Sequence, residues 1–145
     1  MYFSAILYVL LSALMSPQST DADKIKGYWM SPDKDLLVKC YKGKDGKYHG
    51  QLAWFKIYPG DFARYNCDVP QEQWIGKTVL WGFEYIDNEW SVGKIKDLKK
   101  CNNYDAFIAM TPDGKLTAPG FVIFRWLSES MTFTKYTGKL PVQEL

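Results

Sequence analysis

Hydrophobic and polar residues alternate along most of this chain in short runs, and clusters of Gly, Asp, Asn and Pro separate the runs. A period of two sends successive side chains to opposite faces, so each run predicts a half-buried β-strand. The first run covers residues 27–31 and stops at Pro32, Asp33, Lys34 and Asp35. The second, 36–42, meets the hairpin signal Gly43-Lys44-Asp45-Gly46. The third covers 47–56, and a longer connection over 57–74 leads to the fourth at 77–85. Residues 86–89 turn the chain into the fifth, 90–96. The sixth, 104–110, turns at 111–114 into the seventh, 115–126, and the eighth is 131–137. Beyond the N-terminal segment, no stretch of ten residues carries a helical period.

About eight meandering strands predict an all-β fold, an antiparallel up-and-down barrel, because closure removes the free edges that would otherwise aggregate. Pro119 and Gly120 interrupt the seventh run and fit a bulge or corner. In a meander the turns alternate between the two ends. The tight turns at 43–46, 86–89 and 111–114 share one end. The other end carries 32–35, the long 57–74 connection, 97–103 and 127–130. One end is therefore expected to be closed and the other to have a mouth.

The first 22 residues follow a different rule. Residues 5–15 form an apolar run of eleven without charge, the length of a signal-peptide core and short of the ~20 residues that span a bilayer. Thr20 and Ala22 are small residues that a signal peptidase reads, although the first four residues hold no Lys or Arg. The competing reading is a buried N-terminal helix, which would need cover on every side. The expected organisation is a signal peptide over 1–22 and one barrel domain over 23–145, with an extracytoplasmic (periplasmic or secreted) location and no membrane span.

Composition sharpens this picture. The chain has 145 residues, enough for one domain with a real core. Aromatics make up 17%, an excess that suits pleated, half-buried surfaces. The net charge of +2 comes from lysines scattered along the chain, so a nucleic-acid partner is not expected.

Of the three cysteines, Cys40 shares a face with Leu36 and Val38 and is expected to point inward. Cys67 and Cys101 fall in loops at the mouth, where an exported chain would bridge them. Closing that loop would stabilise by roughly 3–4 kcal/mol and pin the long connection. Three unrelated thiols remain the alternative.

Catalytic and metal chemistry finds little material. His49, the single histidine, alternates onto an outward face. Three dispersed cysteines and one histidine make no zinc pattern, and no phosphate loop or nucleophile elbow is present. Asp33 and Asp35 are explained as turn-capping acids. No catalytic residue, metal or cofactor is expected. The remaining constellation is aromatic: Trp54, Tyr58, Phe62, Trp74 and Trp126, with Arg64 as a polar contact for a carboxylate or phosphate. Together they form a candidate pocket for a small apolar or amphipathic ligand at the mouth.

Gly27-Tyr28-Trp29 is similar to the Gly-x-Trp signature of lipocalins. With the segments 27–35, 46–54, 82–97, 116–121 and 132–136 in order, the chain resembles the bacterial domain-of-unknown-function family 2147 over residues 25–136. The resemblance implies an extracytoplasmic, lipocalin-like barrel and supplies no established activity or catalytic residues. Lipocalins pack a last-strand Arg over the first-strand Trp; the resemblance implies that Lys135 would take that position over Trp29, through a cation–π contact with less planar stacking. Ser128-Glu129 stands where the resembled family usually shows Gly-Arg, which puts one mouth-facing positive charge, and with it any shared anionic ligand, in doubt. The Cys67/Cys101 pair is not a general feature of the family.

Three function classes follow. A carrier of a small ligand is the leading one, a non-enzymatic interaction module of the cell envelope with a solid barrel is the rival, and an enzyme using Glu84, Lys94 or Asp105 is the third.

Overall fold

The computed structural model describes residues 21–57, 70–98, 101–118 and 131–144. They form a short 3-10 helix, η1 (Asp21–Ile25), and the strands β1 (Gly27–Met30), β2 (Leu36–Lys42) and β3 (Tyr48–Phe55). A second 3-10 turn, η2 (Gln71–Gln73), precedes β4 (Thr78–Ile86), β5 (Glu89–Asp97), β6 (Asn102–Met110), β7 (Leu116–Ala118) and β8 (Met131–Tyr136). Each strand pairs with the next, and β8 returns to β1 through Tyr28↔Tyr136, Trp29↔Lys135 and Met30↔Thr134, closing an eight-stranded antiparallel barrel. The residues of the expected bulge at Pro119 and Gly120 lie outside the described residues.

The tight turns behave as their residues require. Asp87 and Asn88 both have positive φ (51° and 65°), the left-handed conformation that Asn and Asp tolerate and that a two-residue hairpin demands. In the β1–β2 turn, the buried Ser31 hydroxyl donates to Asp35 Oδ1 (2.7 Å) and accepts from the Asp35 and Leu36 amides (3.1 and 2.9 Å). Asp35 is thereby committed to the turn.

The interior is packed by Trp29, Val38, Cys40, Tyr48, Leu52, Phe55, Phe83, Trp90, Ala106, Ile108 and Leu116, with Phe133 against them. Part of it is solid. Gly93 has its backbone against the face of Phe83, where a Cβ would fall 2.4 Å from ring carbons. Gly50 likewise makes room for Leu80. Small residues on one strand thus admit large ones from its neighbour.

The closed end has a plug. η1 carries Asp21 in its first turn and Lys24 in its last, paired at 2.9 Å, and turns Ala22 and Ile25 into the core. Two buried indoles hold it: Trp29 Nε1 donates to the Ile25 carbonyl (2.7 Å) and Trp90 Nε1 to the Ala22 carbonyl (3.0 Å). The Tyr48 hydroxyl donates to Asp23 Oδ1 (2.6 Å).

Candidate functional site

Because η1 seals the end of the tight turns, the opposite end is where a ligand or partner would meet the interior. Its described parts are the β1–β2 turn, the start of the β3–β4 connection, the segment from Pro70 to β4, Leu98, and the C-terminal tail.

Trp74 follows η2 and is buried, its ring 5.2 Å from that of Phe55 and tilted by 50°. The segment is tied down by the Gly76 amide on the Leu52 carbonyl (2.8 Å) and the Lys77 amide on the Trp74 carbonyl (3.0 Å). Trp74 is thus a core residue of the upper wall.

Trp54, expected among the aromatics of the pocket, does not face the interior with Leu52. The β2–β3 register shifts between Leu37 and Val38: Val38 faces Leu52 while Leu37 faces Trp54. The extra residue reverses the alternation, so Phe55 enters the core and Trp54 points outward. Outside, Trp54 stands beside Leu37, which is fully buried yet not part of the interior cluster. The C-terminal tail meets it there. Trp54 Nε1 donates to the Val142 carbonyl (3.2 Å). The Gln143 side chain accepts from the Phe55 amide and donates to the Phe55 carbonyl, both at 3.1 Å. β4 begins opposite Gln51, so the end of β3 overhangs it and the Gln143 amide occupies that edge as a strand would.

Tyr58, Phe62, Arg64, Cys67 and Trp126 lie outside the described residues. Cys101 follows β5 at the mouth, with positive φ (58°). Cys40 is buried on the inner face and carries a free thiol, which burial pushes up to about 12. At the base, Lys135 Nζ lies 5.1 Å from the centre of the Trp29 ring and donates to the Lys26 carbonyl (2.7 Å).

The polar groups weighed for catalysis have structural partners. His49 Nδ1 accepts from the Gly82 amide (3.2 Å) and Nε2 faces both oxygens of Asp45 (3.1 Å). That hydrogen bond holds the Asp45 carboxyl below its ordinary range. Lys94 bonds Asp105 on the outside (2.6 Å), and Glu84 lies 3.9 Å from Lys47. Among the described residues, no group of three or more His, Cys, Asp or Glu is gathered as a metal site, and no helix is long and apolar enough to cross a membrane.

The plug and the tail escaped the sequence reading. η1 is too short to show a period, and its Ala22 and Ile25 differ little from linker residues. The tail's contacts rest on one glutamine and one carbonyl, which leave no pattern.

Comparison with known proteins agrees with this architecture. A family model described as an uncharacterized protein conserved in bacteria (DUF2147) matches residues 27–135. Among solved structures, protein HP1028 from the human pathogen Helicobacter pylori, described as belonging to the lipocalin family, is similar in fold. The TM-score is 0.51 at 12% identity, over 78% of this chain and 83% of that one. No curated protein matches the sequence.

Proposed function

The chain belongs to the family of uncharacterized bacterial proteins DUF2147, and from its lipocalin-like barrel we propose that it is an exported, non-enzymatic carrier of a small apolar or amphipathic ligand. The observation that carries this reading is the asymmetry of the barrel. One end is sealed by η1 under two indole hydrogen bonds, while the other bears the long connections. A ligand would be admitted there, against an upper wall that includes Phe55, Trp74 and Leu98. Barrels of eight strands hold one small ligand when their own side chains leave room. Tyr58, Phe62, Arg64 and Trp126 are proposed to complete the pocket, and a Cys67–Cys101 bridge to brace it. The bridge is supported by Cys40 being the free cysteine among the described residues, which leaves the other two for each other. Export is supported by the apolar segment 5–15 and its length.

Native mass spectrometry of the protein from an exported fraction, before and after mild denaturation, tests the carrier reading. A co-purifying small molecule released on denaturation is expected. A bare chain would favour the second reading, an interaction module with a solid barrel, which the seating of Phe83 on Gly93 supports.

A further inference from the structure

The best small-residue pattern for signal peptidase, Thr20 and Ala22, would cut the bond between Ala22 and Asp23. The fold argues against that bond. Ala22 is buried in the core cluster, and its carbonyl is the acceptor for the indole N–H of Trp90, a side chain 1% exposed. A cut after Ala22 removes the acceptor and leaves a new ammonium at Asp23. An ammonium has donors only, so it cannot replace the carbonyl that accepts from the indole. A buried donor left without a partner is among the more damaging single changes in a core. Ile25, two residues on, packs into the same plug and receives the Trp29 indole, so the loss would fall on the element that seals the base.

We propose that the N-terminal segment is removed at a bond upstream of Ala22, so that the mature chain keeps Ala22 as part of its barrel. This rests on the export reading above. Ser19 and Thr20 supply small residues at upstream bonds, and a cut after Thr20 starts the chain at Asp21. That start retains all of η1 with its Asp21–Lys24 pair (2.9 Å). The resulting ammonium falls on the exposed Asp21, the first residue of η1, and the indole keeps its acceptor.

Expressing the full chain in a bacterium and measuring the intact mass of the exported product tests this directly. A shortened mass, corresponding to a cut chain that starts no later than Ala22, is expected. A start at Asp23 overturns the proposal while leaving export intact. An uncut chain confined to the cytoplasm overturns both, so the two failures are distinguishable. As an independent check, mature chains starting at Asp21 and at Asp23 are compared by thermal melting, each with and without Trp90→Phe. The Asp23 start is expected to melt lower by roughly 5 °C or more, with much of the gap closed by Trp90→Phe, which removes the donor. Equal melting in the Trp90 background overturns the proposal.

Discussion

Lys135 and Trp29 face each other across the seam that closes the barrel, the ammonium 5.1 Å from the ring centre and bonded to the Lys26 carbonyl at 2.7 Å. The cation therefore serves twice: it covers the base of the buried indole and satisfies a carbonyl between η1 and β1. Gly27 makes this geometry available. Its φ is +122°, and a Cβ there would fall 2.9 Å from the Lys135 ammonium.

Trp29→Ala is expected to cost roughly 3–5 kcal/mol by opening a cavity in the core. Lys135→Met, which keeps the stem and removes the charge, is expected to cost about 1 kcal/mol. Urea unfolding of both variants checks this, and a neutral Trp29→Ala would contradict the packing described.

Gly93→Ala places a methyl group where the Phe83 ring lies. The expected loss is roughly 1–3 kcal/mol. Combining it with Phe83→Leu should cost less than the two separate losses added, because the smaller side chain gives way. A double-mutant cycle by chemical denaturation measures that coupling.

Val92 is 71% exposed and has a φ of +62°, at the register shift between Trp90 and Gly93. A β-branched residue is strained in that conformation. Val92→Gly is expected to raise stability by roughly 0.5–1 kcal/mol, the relief of strain exceeding the added entropy of glycine. A rise in the thermal midpoint with unchanged far-ultraviolet dichroism is the expected result.

Asp23 titrates below the ordinary carboxylate range because the Tyr48 hydroxyl donates to it, with Lys26 and Lys42 adding smaller attractions. A lowered folded-state value stabilises above the unfolded value of about 3.9. That contribution disappears as the pH falls through the folded value. Tyr48→Phe is therefore expected to narrow the stability difference between pH 6 and pH 2. Acid titration of both proteins by tryptophan fluorescence gives the comparison.

Cys40 should resist alkylation in the native protein, since burial raises its thiol to about 12 and closes access. With the proposed Cys67–Cys101 bridge, one thiol per chain is expected after denaturation without reductant and three after reduction. Three without reductant would eliminate the bridge. Cys40 also destabilises in alkali: its unfolded form ionises near 9 while its folded form does not, so stability falls as the pH rises between those two values.

The strand sequence and the closed topology were legible because each run combined alternation with its own turn residues. β2 over Leu36–Lys42 coincides with the run read from sequence, and the others differ at their ends by one or two residues where described. Facing was less legible. One extra residue opposite Leu37 and Val38 is enough to turn Trp54 outward and bring Phe55 in, and nothing in the local pattern of β3 announces a shift set by its partner strand. Of the candidate pocket residues, the structure describes Trp54 and Trp74, and it puts one on the outer face and the other in the core. The plug had no period to detect, so its identity emerged only from the carbonyls that two distant tryptophans require.

The plug also gives the molecule a direction. Asp21, where the described chain begins, lies at the sealed base, while Gln143 is fastened beside the rim through Phe55. Asp21 and Gln143 therefore mark opposite poles. A surface holding the N-terminal pole would meet the base and leave the mouth turned outward, whereas a cargo domain fused at the C-terminal pole would stand at the doorway.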